Sequence, residues 1–335
     1  MGAVSAIFNP SRGAHGHRGV DMVTEVRIAT LGVADLDRSL AFYREALGYH
    51  VLAQGRLDPA LSPLLRAEAP LHGRWAVIAA DGSGLGRLRL VAGEPPGERL
   101  WTDANRYAGS GYYALNFRCR DARAAMARIA AAGGHAAHEP SYWEVSEQVA
   151  VRDSISDDPD GIRLDLFSYE RGGELRGPLG TEVSVLQTVA IATRDIARSR
   201  RFYEGLGFRE LFDRVLDFPE LQQLLGADRP VRIHNVNLMK DGTIVPGRVE
   251  MFAYLGLGDV PEDRLAERAH PPNLGILSIG FESADLDADL ARLEALGARP
   301  IARATVADWP GYGAVEVAVV AGPDGETIEV VGTTA

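Results

Sequence analysis

Apolar residues along this chain fall into two rhythms. At Leu36, Leu40, Tyr43 and Leu47 they recur every three or four positions, the spacing of one helix face. In "WAVIAA", "RLRLVAG", "VRIHNVNLM", "RVEMFAY", "VEVAVVA" and "TIEVVG" they alternate, as in strands whose two faces meet different surroundings. A strand-like run, "VRIATLGV", precedes the first helix, and "YYALNFRC" stands in the same place before the second. Each helix is followed by about three alternating runs. The pattern therefore predicts an α+β chain of four βαβββ units. Asp35, Asp121, Asp195 and Asp285 stand at the four helix starts, where a carboxylate caps exposed N–H groups.

The units also repeat as a pair. "VADLDRSLAFYREALGY" (33–49) returns as "TRDIARSRRFYEGLGF" (193–208), placing Asp35 on Asp195, Ser39 on Ser199 and Tyr43 on Tyr203. "LDPALSPLL" (57–65) parallels "DFPELQQLL" (217–225), and "DPDGIRLDLF" (158–167) parallels "GPDGETIEVV" (322–331). Such self-similarity divides the chain into residues 22–170 and 183–333. The stretch 171–182 is Gly-rich and charged, as a linker is, and 1–21 reads as a polar N-terminal arm.

Composition narrows the function classes. Of 335 residues 46% are hydrophobic and 24% charged, a balance suited to a packed globular core. The formal net charge of -11 disfavours a general nucleic-acid binder, which needs a basic face. Cys119 is the single cysteine, which excludes an intrachain disulfide and agrees with a reducing cytoplasm. No run of about 18 apolar residues is present, so no membrane span is expected.

The unit order, with "D(L/I)..S..FY...LG" early and "DPDG" before a last strand, resembles the vicinal oxygen chelate superfamily of glyoxalase I, extradiol dioxygenases and bleomycin-resistance proteins. The resemblance implies two tandem modules, each a pair of units whose curved sheets form an open barrel around a pocket. It also implies a divalent metal on first-strand positions seven residues before each helix-start aspartate, and on last-strand positions. In the first half these fall on Ile28, Ala114, Arg89 and Asp165. Two of them carry no donor and one is cationic. The first module is accordingly expected to be structural, with Arg89 and Asp165 paired.

In the second half the same positions are Thr188, Ser278, Glu250 and Glu329. Alternation turns Glu250 away from Val249 and Met251, and Glu329 away from Ile328 and Val330. The expectation is that both carboxylates face one cavity in the C-terminal module, as acid and base or as metal ligands. His234 is the candidate third ligand for Fe(II), Mn(II) or Zn(II), or a substrate contact; a site without metal stands as the equal alternative. Thr188, Ser278, Trp309 and Tyr312 are the further substrate-binding candidates. The implied function is a lyase, isomerase or ring-cleaving dioxygenase acting on a small, aromatic molecule. The alternative is a metal-free binding or antibiotic-sequestering protein. A homodimer is compatible with either.

Overall fold

A computed structural model describes residues 23–82, 84–136, 138–173, 179–240, 246–258 and 260–333. The N-terminal arm and the middle of the linker lie outside the described residues. The first unit contains β1 (Ile28–Gly32), α1 (Leu36–Leu47), β2 (His50–Arg56), β3 (Gly73–Ala79) and β4 (Arg87–Gly93). The second contains β5 (Gly109–Arg118), α2 (Ala122–Ala131), β6 (Ser141–Glu144), β7 (Ala150–Asp157) and β8 (Arg163–Arg171). The third has β9 (Thr188–Ala192), α3 (Ile196–Gly205), β10 (Phe208–Leu216), a one-turn α4 (Leu221–Leu224), β11 (Arg232–Lys240) and β12 (Arg248–Leu255). After a short β13 (Asp263–Arg264) and α5 (Leu265–Arg268), the fourth runs through β14 (Gly275–Ser283), α6 (Leu286–Ala295), β15 (Arg299–Trp309), β16 (Gly313–Ala321) and β17 (Thr327–Gly332).

All four aspartates cap their helices. The carboxylates of Asp35, Asp195 and Asp285 accept from the third residue onward, Arg38, Arg198 and Ala288, and Asp121 accepts from Arg123 and Ala124. Among the described residues no helix is long and apolar enough to cross a membrane.

The two tandem halves and their curved sheets are present as expected, but the units pair across the halves and not within each. One eight-stranded sheet runs β15-β16-β17-β14-β1-β4-β3-β2, joining the fourth unit to the first. A nine-stranded arrangement runs β10-β11-β12-β9-β5-β8-β7-β6, with β13 added beside β5, joining the third unit to the second. The joins are antiparallel: Thr30 lies opposite Ser278 in one sheet, and Asn116 opposite Thr188 in the other. Each curved sheet thus draws one unit from each half of the sequence.

On the other face the helices tie together the two units within each half. Tyr43 on α1 donates to Asp158 at 3.0 Å, while Arg38 and Ser39 bind Asp160, both in the "DPDG" turn of the second unit. Tyr203 on α3 likewise donates to Glu326 at 3.0 Å, and Ser199 and Arg198 bind Asp324. The repeated "RS..FY" and "PDG" motifs are therefore two parts of one latch. One apolar cluster fills the helix side and includes Phe42, Phe117, Phe202 and Phe281 from all four units.

The opposite faces form two cups. That of the eight-stranded sheet is filled by Trp75, Trp309, Val77, Val317 and the Leu57, Leu61 and Leu65 side chains. That of the nine-stranded sheet is open.

Candidate active site

The open cup encloses about 210 Å³. Its walls are apolar and aromatic: Tyr113, Trp143, Val151, Phe212, Leu221 and Phe252 among others. Trp143 stacks on Phe218 with ring centroids 5.4 Å apart, joining β6 to the segment after β10. The repeat "DFPELQQLL" supplies Leu221, Leu224 and Leu225 as one wall. Its counterpart, "LDPALSPLL", is packed over the filled cup.

The floor of the open cup is polar. Glu250 on β12 accepts from the amides of Asn235 at 2.6 Å, Asn116 at 3.0 Å and Asn237 at 3.2 Å. A carboxylate accepts only, so these contacts turn each NH₂ towards Glu250. The carbonyl oxygens of Asn116 and Asn237 are left buried without a hydrogen-bond partner. Arg248 lies two residues before Glu250 and donates to Thr188 at 3.0 Å. On the other half of the floor Asp165 on β8 adjoins Asp153 on β7, which also accepts from Trp143 Nε1 at 3.3 Å.

Burial raises the pKa of Asp165 well above the carboxylate range, and the charges of Asp153 and Glu250 push it further. Asp153 is raised too, chiefly by burial. Two carboxyls in contact with little water cannot both ionise, so they share a proton. Burial also raises Glu250, against the lowering by the Asn235 amide and the Arg248 charge.

The eight-stranded sheet resolves the equivalent positions differently. Arg89 is fully buried, and its guanidinium meets Glu329 at 2.7 Å. Thr30 and Ser278 donate to the same carboxylate at 3.2 and 2.5 Å. Arg89 also donates to the Pro310 carbonyl and lies 4.8 Å from the Trp309 ring centroid.

These placements correct the sequence reading. Glu250 and Glu329 do not share a cavity; they lie in different sheets. Arg89 pairs with Glu329, not with Asp165, and the open cup draws its lining from both halves of the sequence. Ser278, Trp309 and Tyr312 belong to the filled cup, where Tyr312 sits under Arg87. Gly280 leaves no space there: a Cβ on it would lie 2.6 Å from Ile28 Cγ2. His234 lies on the strand face opposite Asn235 and Asn237, bonded to Asp213 at 2.7 Å. Of the sequence candidates, Thr188 and Glu250 line the open cup.

Sequence reasoning missed Asn116, Asp153, Asn235, Asn237 and Arg248. The signal for two of them was in "VRIHNVNLM". Once Val236 and Leu238 face the core, alternation sends Asn235 and Asn237 to the cup.

The residues of the cup do not fit the divalent metal that the resemblance implies. Among the described residues no histidine lines it, both Glu250 oxygens are engaged by amide donors, and Asp165 is tied to Asp153. Among the described residues no group of three His, Cys, Asp or Glu side chains is gathered to hold a metal.

The family model described as Glyoxalase/Bleomycin resistance protein/Dioxygenase superfamily matches residues 23–166 and 185–330. Glyoxalase I from Zea mays superposes with a TM-score of 0.60 at 18% identity, over 92% of each chain. A Bacillus subtilis protein assigned as a dioxygenase superposes with a TM-score of 0.55 at 11% identity, over 93% of this chain and 86% of its own. At such identities the likeness bears on fold alone. Comparison with curated proteins returns no significant match.

Proposed function

Because the chain belongs to the glyoxalase/bleomycin resistance protein/dioxygenase superfamily, we propose that the nine-stranded cup binds a largely apolar, ring-bearing small molecule and moves a proton on it. The reaction class is an isomerase or lyase step at a carbon next to a carbonyl. The observation that carries this reading is the pair of carboxyls, Asp165 and Glu250, at matched last-strand positions on the floor of an open apolar cup.

The roles follow from the surroundings. Glu250, held in one orientation by three amides, takes the proton from carbon. Burial brings its pKa upward, which makes it a stronger base than a solvated glutamate. The proton shared by Asp165 and Asp153 is the acid that can return to the substrate oxygen or carbon. The apolar walls exclude water and orient the ring.

One observation favours a second reading, a protein that sequesters its ligand. The lone pairs of Glu250 are already occupied by amide donors, which weakens it as a base. Deuterium exchange of aromatic carbonyl compounds in D₂O, followed by NMR, separates the two. An active wild type with Glu250→Gln slowed about a hundred- to ten-thousand-fold, at retained binding, supports proton transfer. Ligand binding without exchange by the wild type supports sequestration. A chelator should leave either property unchanged; loss of exchange on chelation, restored by added metal, would return the metal to the site.

A further inference from the structure

The inference concerns what the cup binds, and it rests on the cup being the functional site. The two sheets place four equivalent last-strand residues at their floors: Arg89 and Glu329 in one, Asp165 and Glu250 in the other. In the filled cup the cation is supplied by the chain. Arg89 satisfies Glu329, and Thr30 and Ser278 donate the remaining hydrogen bonds.

In the open cup both residues are carboxyls. Arg248 faces Glu250, and one proton is shared between Asp165 and Asp153. Arg163, two residues before Asp165, does not line the cavity; it lies over the Tyr113 ring at 4.4 Å and the Trp101 ring at 5.2 Å. Arg214 is a wall residue and donates to the Val145 carbonyl at 2.6 Å. The floor itself thus carries two negative groups, Glu250 and the aspartate pair, against the one cation Arg248 among the described residues, while Arg214 keeps its charge on the wall.

Its hydrogen-bonding capacity is lopsided in the same sense. Asn116 is 6% exposed and Asp153 7%, yet Asn116 Oδ1, Asn237 Oδ1, Asp153 Oδ1 and Asp165 Oδ1 have no assigned donor. The Asp–Asp proton can serve two of these oxygens. The two amide carbonyls remain, and their orientation is dictated by Glu250. Buried acceptors without donors are costly, so the group that belongs here donates.

We propose that the cup selects a ligand with a cationic, hydrogen-bond-donating head, an alkylammonium or amidine on an apolar ring-bearing body, and discriminates against carboxylates and phosphates. The ligand cation takes the part that Arg89 plays in the sister cup. The aromatic walls formed by Tyr113, Trp143 and Phe252 suit the ring.

Titration calorimetry with phenethylammonium, phenethyl alcohol and hydrocinnamate tests this, because the three share a ring and differ in the head. The ammonium should bind roughly tenfold or more tighter than the alcohol, and the carboxylate weakest, as expected for donors to charged acceptors. Ala190→Phe, which fills the cup, should abolish all three signals. Glu250→Gln, which removes the carboxylate on which the three amides converge, should shrink the preference for the ammonium over the alcohol. Equal binding of ammonium and alcohol by the wild type, or tighter binding of the carboxylate, overturns the inference even if Glu250→Gln does not fold. If no probe shows binding that Ala190→Phe removes, the cup reading falls along with it.

Discussion

Four buried groups show how this chain uses charge at the residue scale. Arg89 and Glu329 form an ion pair with no access to water, and such a pair is costly to break on one side. Arg89→Met should destabilise the protein by about 3–5 kcal/mol in urea unfolding, because Glu329 is left charged and unpaired. Arg89→Met combined with Glu329→Leu should recover much of that loss. Asp158 and Glu326, the latch residues, behave differently. Burial raises the first to about 7 and the second to about 8, from ordinary values of 3.8 and 4.5. A carboxyl whose pKa is raised on folding binds its proton more tightly in the folded state. Its contribution is complete below the unfolded pKa and is lost as pH rises through the folded one. The melting temperature should therefore fall between about pH 5 and pH 8.5. Glu326→Gln, a neutral mimic of the protonated acid, should flatten that slope.

At the scale of elements, the helices are set by their ends and their latches. Each begins at an aspartate that caps it, and α1 and α3 each send a tyrosine, a serine and an arginine into a "PDG" turn. Removing one cap, as in Asp285→Ala, should cost about 1 kcal/mol in thermal or chemical unfolding. Ser199→Ala should cost about 1–3 kcal/mol, since Asp324 loses a buried donor at 2.6 Å. The segments after β2 and β10 are also paired elements. The same motif seals one cup with leucines and lines the other. The difference lies in what stands beneath: Trp75, Trp309 and Arg89 in the first, three asparagines and the carboxyls of Asp153, Asp165 and Glu250 in the second.

Across the whole molecule, the sheets and the helices divide the chain along different lines. The helix latches join the first unit to the second and the third to the fourth. The sheets join the first to the fourth and the second to the third. Neither sequence half owns a complete sheet: β1 needs β14, and β5 needs β9. A fragment ending near residue 173 leaves two inner strand edges unpaired, which invites association. Expressed alone it should give no stable monomer in size-exclusion chromatography. Co-expressed with the fragment from 179 onward, it should yield a one-to-one complex with a cooperative melt. A monomeric, cooperatively folding half would show that the cross-half pairing is dispensable.

Local physics made much of this legible beforehand. The four units, the caps and the face on which Glu250 and Glu329 point all follow from periodicity, because a strand alternates and a helix repeats whatever its neighbours are. What the sequence by itself determined was thus each unit and the orientation of each side chain within its strand. Only the tertiary structure decided which units share a sheet. Backbone N–H and C=O groups at a strand edge pair with any other edge, so β1 carries no local mark that assigns it to β14 over β5. That choice sent Glu250 to Asp165 and Glu329 to Arg89. It converted two carboxylates read as one site into a neutralised ion pair in a filled cup and a carboxyl floor in an open one.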